Sequence, residues 1–173
     1  VTLLVVLLVM ILIAASFIDI RSHRIPNWLT YPAVMFGIGA HTLLQGLDGL
    51  FFSGSGMLLG FGLLIVFYLV GGMGAGDVKL MAAVGAFLGP KGVFAAFIFT
   101  ALVGGIYSVV LLIRGGRPGA RLARLGTPFA LYLGSLTSAG SIDETTRAAP
   151  KLCYGVAITI GTVLSIALKG LIY

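Results

Sequence analysis

Charge is what this sequence has least of. Charged residues make up 9% of the chain, and only 5 of its 173 residues are acidic. Soluble domains carry about 25% charged residues, so a chain this poor in charge cannot present a polar coat to water on every side. Its single cysteine, Cys153, excludes an internal disulfide and any zinc site built from several cysteines, and is read as a small packing residue. His23 and His41 have no partner at ligand spacing. They are read as a loop residue and an outer interfacial residue, and neither a metal nor a cofactor is expected.

What is present is apolar. Hydrophobic residues make up 59% of the chain, and mean hydropathy is +1.14. These values define an integral membrane protein. In a bilayer an open backbone hydrogen bond finds no partner, so an all-α bundle is expected, and the 26 glycines suit helices that approach closely. The opening run VTLLVVLLVMILIAASFI resembles a secretory signal only in its AAS. No basic residue precedes it and it passes straight into Asp19, so it is read as a retained span.

Apolar segments near 1–18, 29–47, 55–71, 78–90, 92–113 and 153–172 make six candidate spans in one integral membrane domain covering 1–173. The segment 78–90 is the weakest, because about 20 residues are needed to cross the hydrocarbon core and it stops at Gly89-Pro90. Basic residues set the orientation. With the N-terminus outside, Arg21, Arg24, Lys79, Arg114, Arg117, Arg121, Arg124, Arg147 and Lys151 fall inside, and only Lys91 and Lys169 fall outside. The positive-inside rule then favours six spans with both termini outside and a basic cytoplasmic loop over 114–152. Within that loop TPFALYLGSLTSAG, 127–140, is too short and polar to span and is read as interfacial or re-entrant.

This topology puts Asp19 at the cytoplasmic end of the first span and Asp77 at the cytoplasmic start of the fourth, with one out-and-back hairpin between them. Two carboxylates far apart in sequence thus share one face and depth. Asp48 falls in an outer loop, and Asp143 and Glu144 fall in the long inner one. Carboxylates retained at a membrane boundary usually face the bundle interior and act there. Two plainer readings stand beside that one: Asp19 as a solvated neighbour of Arg21, and Asp77 as a cap on the following helix.

The stretch GGMGAGDVKL, 71–80, weighs towards chemistry. Gly74 and Gly76 flank Ala75 immediately ahead of Asp77, so the backbone can bend sharply there or admit another peptide closely. Nucleotide binding fits poorly, since no G-K-[ST] follows, the spacing is not G-x-G-x-x-G, and a membrane span precedes it.

Three ordered blocks carry a resemblance. GGMGAGDVKLMAAVGAFLGP at 71–90, DIRSHRIPNWLT at 19–30 and YGVAITIG at 154–161 resemble the type IV prepilin peptidases, the A24-like GxGD aspartyl proteases of the bacterial inner membrane. The fit is best to the short members serving tight-adherence, or Flp-type, pili. The resemblance implies that Asp19 and Asp77 are the catalytic pair, with Gly74 and Gly76 forming the active-site loop. Two close carboxylates share a proton, so one can activate water while the other polarises the scissile carbonyl, and their titration belongs to the pair. The implied substrate is a prepilin with a basic leader in the cytoplasm and an apolar helix in the membrane, cut at their junction. Pilus assembly proteins are further implied partners.

Other residues take supporting expectations. Asn27, with Pro26, starts the second helix and is a candidate for positioning Asp19. Lys79 points away from Asp77 in a helix and is a candidate for steadying charge near the site, or else for headgroup contact. Tyr154-Gly155 matches the last block, while Cys153 stands where proline is common in the family. The basic run 114–126 would repel a basic leader and is assigned to anionic lipid, with no nucleic acid partner. Larger members carry an added cytoplasmic part with paired cysteines and N-methylate the new terminus; proteolysis without methylation is expected here. The rival function is a transporter or channel subunit using the two aspartates as an ion or proton relay, which accounts poorly for both acids lying at one end of their spans. A non-catalytic structural subunit is the third option, and it predicts that either aspartate is dispensable.

Overall fold

The computed structural model describes residues 2–22, 25–69, 73–114 and 154–172. His23, Arg24, the loop beyond Arg114 with its segment 127–140, Asp143, Glu144 and Cys153 lie outside them. Among the described residues the secondary structure is helical, with no strand. The helices are α1 (Thr2–Ser22), α2 (Asn27–Gln45), α3 (Leu47–Leu69), α4 (Ala75–Arg114) and α5 (Tyr154–Ile172).

Helix α1 shows the solvent for which the bundle is built. Leu4, Leu8, Leu12, Ala15 and Asp19 form its buried stripe, at the spacing of one helix face. Its opposite side, with Leu3, Val6, Met10, Ile13, Phe17 and Ile20 exposed, is equally apolar. A helix apolar on all sides belongs in lipid. Among the described residues three stretches are long and apolar enough to cross a membrane, Leu3–Ser22, Leu47–Leu69 and Ala75–Tyr107, and Tyr154–Leu168 is a shorter apolar helix.

The third of these stretches is not straight. Gly89, followed by Pro90, takes φ 68 and ψ −177 inside α4 and splits it into two arms, 75–88 and 90–114. Gly60 of α3 lies against both the Met81 carbonyl and the Val93 side chain. A straight helix would hold those two residues about 18 Å apart, so the chain must double back at Gly89. The backbone there occupies a region essentially reserved for glycine, and the Phe52 ring fills the space that a side chain would need. Glycine also permits the α3–α4 seam itself, since Gly56 and Gly85 face each other backbone to backbone. The first arm is the centre of the molecule: Val78, Leu80, Met81, Ala82, Ala83, Val84, Ala86 and Phe87 are all buried.

Two helix starts differ from the apolar segments read in the sequence. Helix α3 begins at Leu47 rather than near 55. The Gly- and Ser-rich residues 53–56 lower the local hydropathy, but Ser53 donates back to the Gly49 carbonyl at 2.8 Å and Ser55 to the Phe52 carbonyl at 3.1 Å, so neither hydroxyl interrupts the helix. Helix α4 begins at Ala75 rather than 78, which places Asp77 inside its first turn. One residue reading is corrected. His41, expected at an outer interface, is buried, with Nδ1 2.9 Å from the Gly37 carbonyl and its ring beside Phe52. The absence of a side chain at Gly49 lets α3 come against the His41 backbone and cover it.

Candidate active site

Asp19 and Asp77 are both buried, at 6% and 7% exposure. Each arrives by a different route. Asp19 ends the buried stripe of α1, one turn beyond Ala15, so the packing that buries the leucines also turns the carboxylate inward. Asp77 is the third residue of α4, and Gly74 precedes the helix as its cap. There the Asp77 carboxylate reaches back, with the Gly74 N–H donating to Oδ2 at 3.2 Å and the Asp77 N–H donating to the Gly74 carbonyl at 3.1 Å. This is the backward-reaching half of a capping box. Capping is therefore part of what Asp77 does, and the same contact fixes its side chain at the mouth of the bundle.

The two carboxylates are close enough for the charge of Asp19 to act on Asp77. Asp19 also has a fixed donor, because the Gly155 N–H at the start of α5 donates to its Oδ2 at 3.1 Å. The half-buried Tyr154 next to it lies within electrostatic reach of Asp77. Consecutive residues of α5 thus face the two acids.

Gly76 brings the two connecting segments together. A Cβ there would stand 2.9 Å from the Ile25 Cβ and 3.3 Å from its backbone N and O, so only glycine lets the segment after α1 lie on the start of α4. Gly74 has a milder constraint: its Cβ would meet Asp77 Oδ2 at 3.2 Å. Asn27 and Lys79 meet each other, with Lys79 Nζ donating to Asn27 Oδ1 at 2.8 Å and lying 5.1 Å from the Tyr31 ring centre. The lysine ties the start of α2 to the start of α4. Asp48 is exposed in the first turn of α3, at the opposite end. Among the described residues no three His, Cys, Asp or Glu side chains gather as a metal would require.

Sequence reasoning missed two features of this site: the Gly155 amide on Asp19 and the Ile25 contact with Gly76. A backbone donor has no sequence signature, although the YG pair in the last block did mark the place.

A helical, lipid-facing bundle with two buried carboxylates at one end is the architecture of a membrane-embedded acid site. The comparisons define it further. The type IV leader peptidase family matches residues 6–109, and the chain belongs to that family. It is 34% identical over 133 residues to a prepilin leader peptidase/N-methyltransferase of Xanthomonas campestris pv. campestris, covering 70% of this chain and 43% of that relative. It is 35% identical over 140 residues to the protein of the same description from Bacillus subtilis, covering 79% of this chain and 52% of the relative. The chain thus spans about half the length of these curated relatives. No solved structure matches it.

Proposed function

We propose that this chain is an aspartic endopeptidase that removes the basic leader from a type IV prepilin of the Flp-like kind, at the cytoplasmic face of the bacterial inner membrane. The observation that carries this reading is the meeting of two buried, electrostatically coupled carboxylates from α1 and α4 in a chain of the leader peptidase family. One carboxyl keeps its proton and polarises the scissile carbonyl. The other, ionised, takes a proton from water as the water oxygen bonds to the carbonyl carbon. Collapse of the tetrahedral intermediate breaks the C–N bond, and the leaving nitrogen receives a proton from the pair. No third acid continues a path through the described bundle, since Asp48 is exposed at the far end, which weighs against an ion relay.

In this proposal the two arms of α4 are separate crossings, giving six spans with both termini outside. The distribution of basic residues supports that orientation. The reaction stops at proteolysis, without N-methylation, and the basic run 114–126 rests on anionic lipid. The direct test is co-expression with candidate pilin precursors followed by mass measurement of the pilin. Loss of the leader mass is expected, and a precursor left intact by every pairing would count against the reading. For orientation, single cysteines near 22 and 50 in a Cys153→Ser background should differ: the one near 50 reacts with an impermeant thiol reagent from outside, and the one near 22 does not.

A further inference from the structure

Helix α1 carries Asp19 and α4 carries Asp77, but the two helices make little direct contact; α5 packs on both and is the main neighbour of α1. Helix α5 lies along α4, with Gly161 set against Thr100 and with Tyr154 and Ala157 beside Gly104. It also lies along α1, and that seam is polar. Ser16 Oγ and Thr159 Oγ1 are 2.6 Å apart. One hydroxyl donates to the other and the second donates to a carbonyl: Thr159 Oγ1 lies 2.9 Å from the Gly155 oxygen of its own helix and 3.1 Å from the Leu12 oxygen, and Ser16 Oγ lies 3.3 Å from the Gly155 oxygen. One turn above that hydroxyl pair the Gly155 N–H meets Asp19 Oδ2. A Cβ at 155 would stand 2.9 Å from that oxygen and 3.2 Å from the Asp19 Cβ and Cγ, so the carboxylate rests on the bare backbone of α5.

We propose that Gly155 is a positioning residue for the aspartate pair: its amide holds the Asp19 carboxylate, and the Ser16–Thr159 hydroxyl pair keeps α5 in the register that delivers that amide. The spacing between the two acids is then set by α5 acting as a wedge, rather than by α1 against α4. Hydroxyl pairs suit this task in lipid, where apolar surfaces slide past one another without a preferred register but a hydrogen bond fixes one. The inference rests on the reading of Asp19 and Asp77 as the catalytic pair.

The test uses the detergent-purified protein and a peptide spanning a leader junction. Gly155→Ala should lower kcat roughly 100-fold, the scale of a reacting group displaced by about an ångström, with little change in KM and with an altered pH dependence of kcat. Thr159→Val should lower kcat roughly threefold to tenfold, and Thr159→Ser should restore it. Gly62→Ala, at an exposed position with nothing within 4 Å of the added atom, is the control and should be as active as the parent. If Gly155→Ala cleaves as the parent does, the inference is wrong. Should Gly155→Ala reduce activity only in step with folded protein, the threonine pair decides: equal rates for Val and Ser at 159 overturn the proposal, and rescue by Ser sustains it. Asp19→Asn and Asp77→Asn, assayed alongside, separate the two levels, because full activity in either one sinks the catalytic pair itself whatever Gly155 does.

Discussion

The two ends of this bundle are built from the same residue for opposite purposes. At one end single glycines turn the chain: Gly46, with φ 64, joins α2 directly to α3, and Gly89, with φ 68, folds α4 back on itself. At the other end Gly74, Gly76 and Gly155 have no positive φ, and what matters is the space they leave. Each lets a backbone or a carboxylate come within a distance that a side chain would forbid. The corner end therefore depends on a left-handed backbone, and at Gly89 on space beside Phe52 as well, whereas the carboxylate end depends on space alone. A glycine's role follows from its neighbours in space, so sequence marks Gly74, Gly76 and the Gly89-Pro90 break without saying which of them needs a positive φ and which needs room.

The sharpest way to break this comparison is at the acids. Asp19→Asn and Asp77→Asn should each lower precursor cleavage by roughly 1,000-fold or more while the protein still inserts, and Asp48→Asn at the corner end should cleave as the parent does; gel mobility of a co-expressed precursor reads all three. Next comes the close approach at Gly76. Gly76→Val should cost roughly 100-fold in turnover by pushing Ile25 off the start of α4, with Gly76→Ala intermediate and Ala75→Ser mild on the same peptide.

Gly89→Ala sharpens the contrast from the other end. It should destabilise the fold by about 1–3 kcal/mol, seen as a lower melting temperature in detergent, while activity per folded molecule stays at the parent value. The smallest effect is expected at the clasp between α2 and α4. Lys79→Met removes the donor to Asn27 and should reduce cleavage only about fivefold, matched by Asn27→Ala and not additive with it, since the two changes delete one hydrogen bond. A double variant far worse than either single change would show that the two side chains act separately.

How much of this was legible follows from what each residue needs in order to act. A helical membrane domain, two acids drawn to one end of it and a chain break at Gly89-Pro90 are all consequences of local composition, hydropathy and charge, which a linear reading contains. The start of α3 was misjudged because hydropathy counts Ser53 and Ser55 as polar, whereas each hydroxyl is satisfied by a carbonyl one turn back. The burial of His41 was missed for a related reason: what covers it is the closeness that Gly49 permits, a property of two helices rather than of one.

The sequence by itself determined that this chain belongs in lipid and that it is helical, and it singled out Asp19 and Asp77 from its five acidic residues as the pair expected at one end of its spans. Those conclusions need only the cost of placing charge and open backbone in hydrocarbon. Tertiary structure alone decided what holds the two carboxylates. The Gly155 amide that meets Asp19 is 136 residues away in the chain, and the Ile25 backbone that covers Gly76 belongs to a different connection. Backbone groups are the same at every residue, so only the folded arrangement can say which amide will meet which carboxylate.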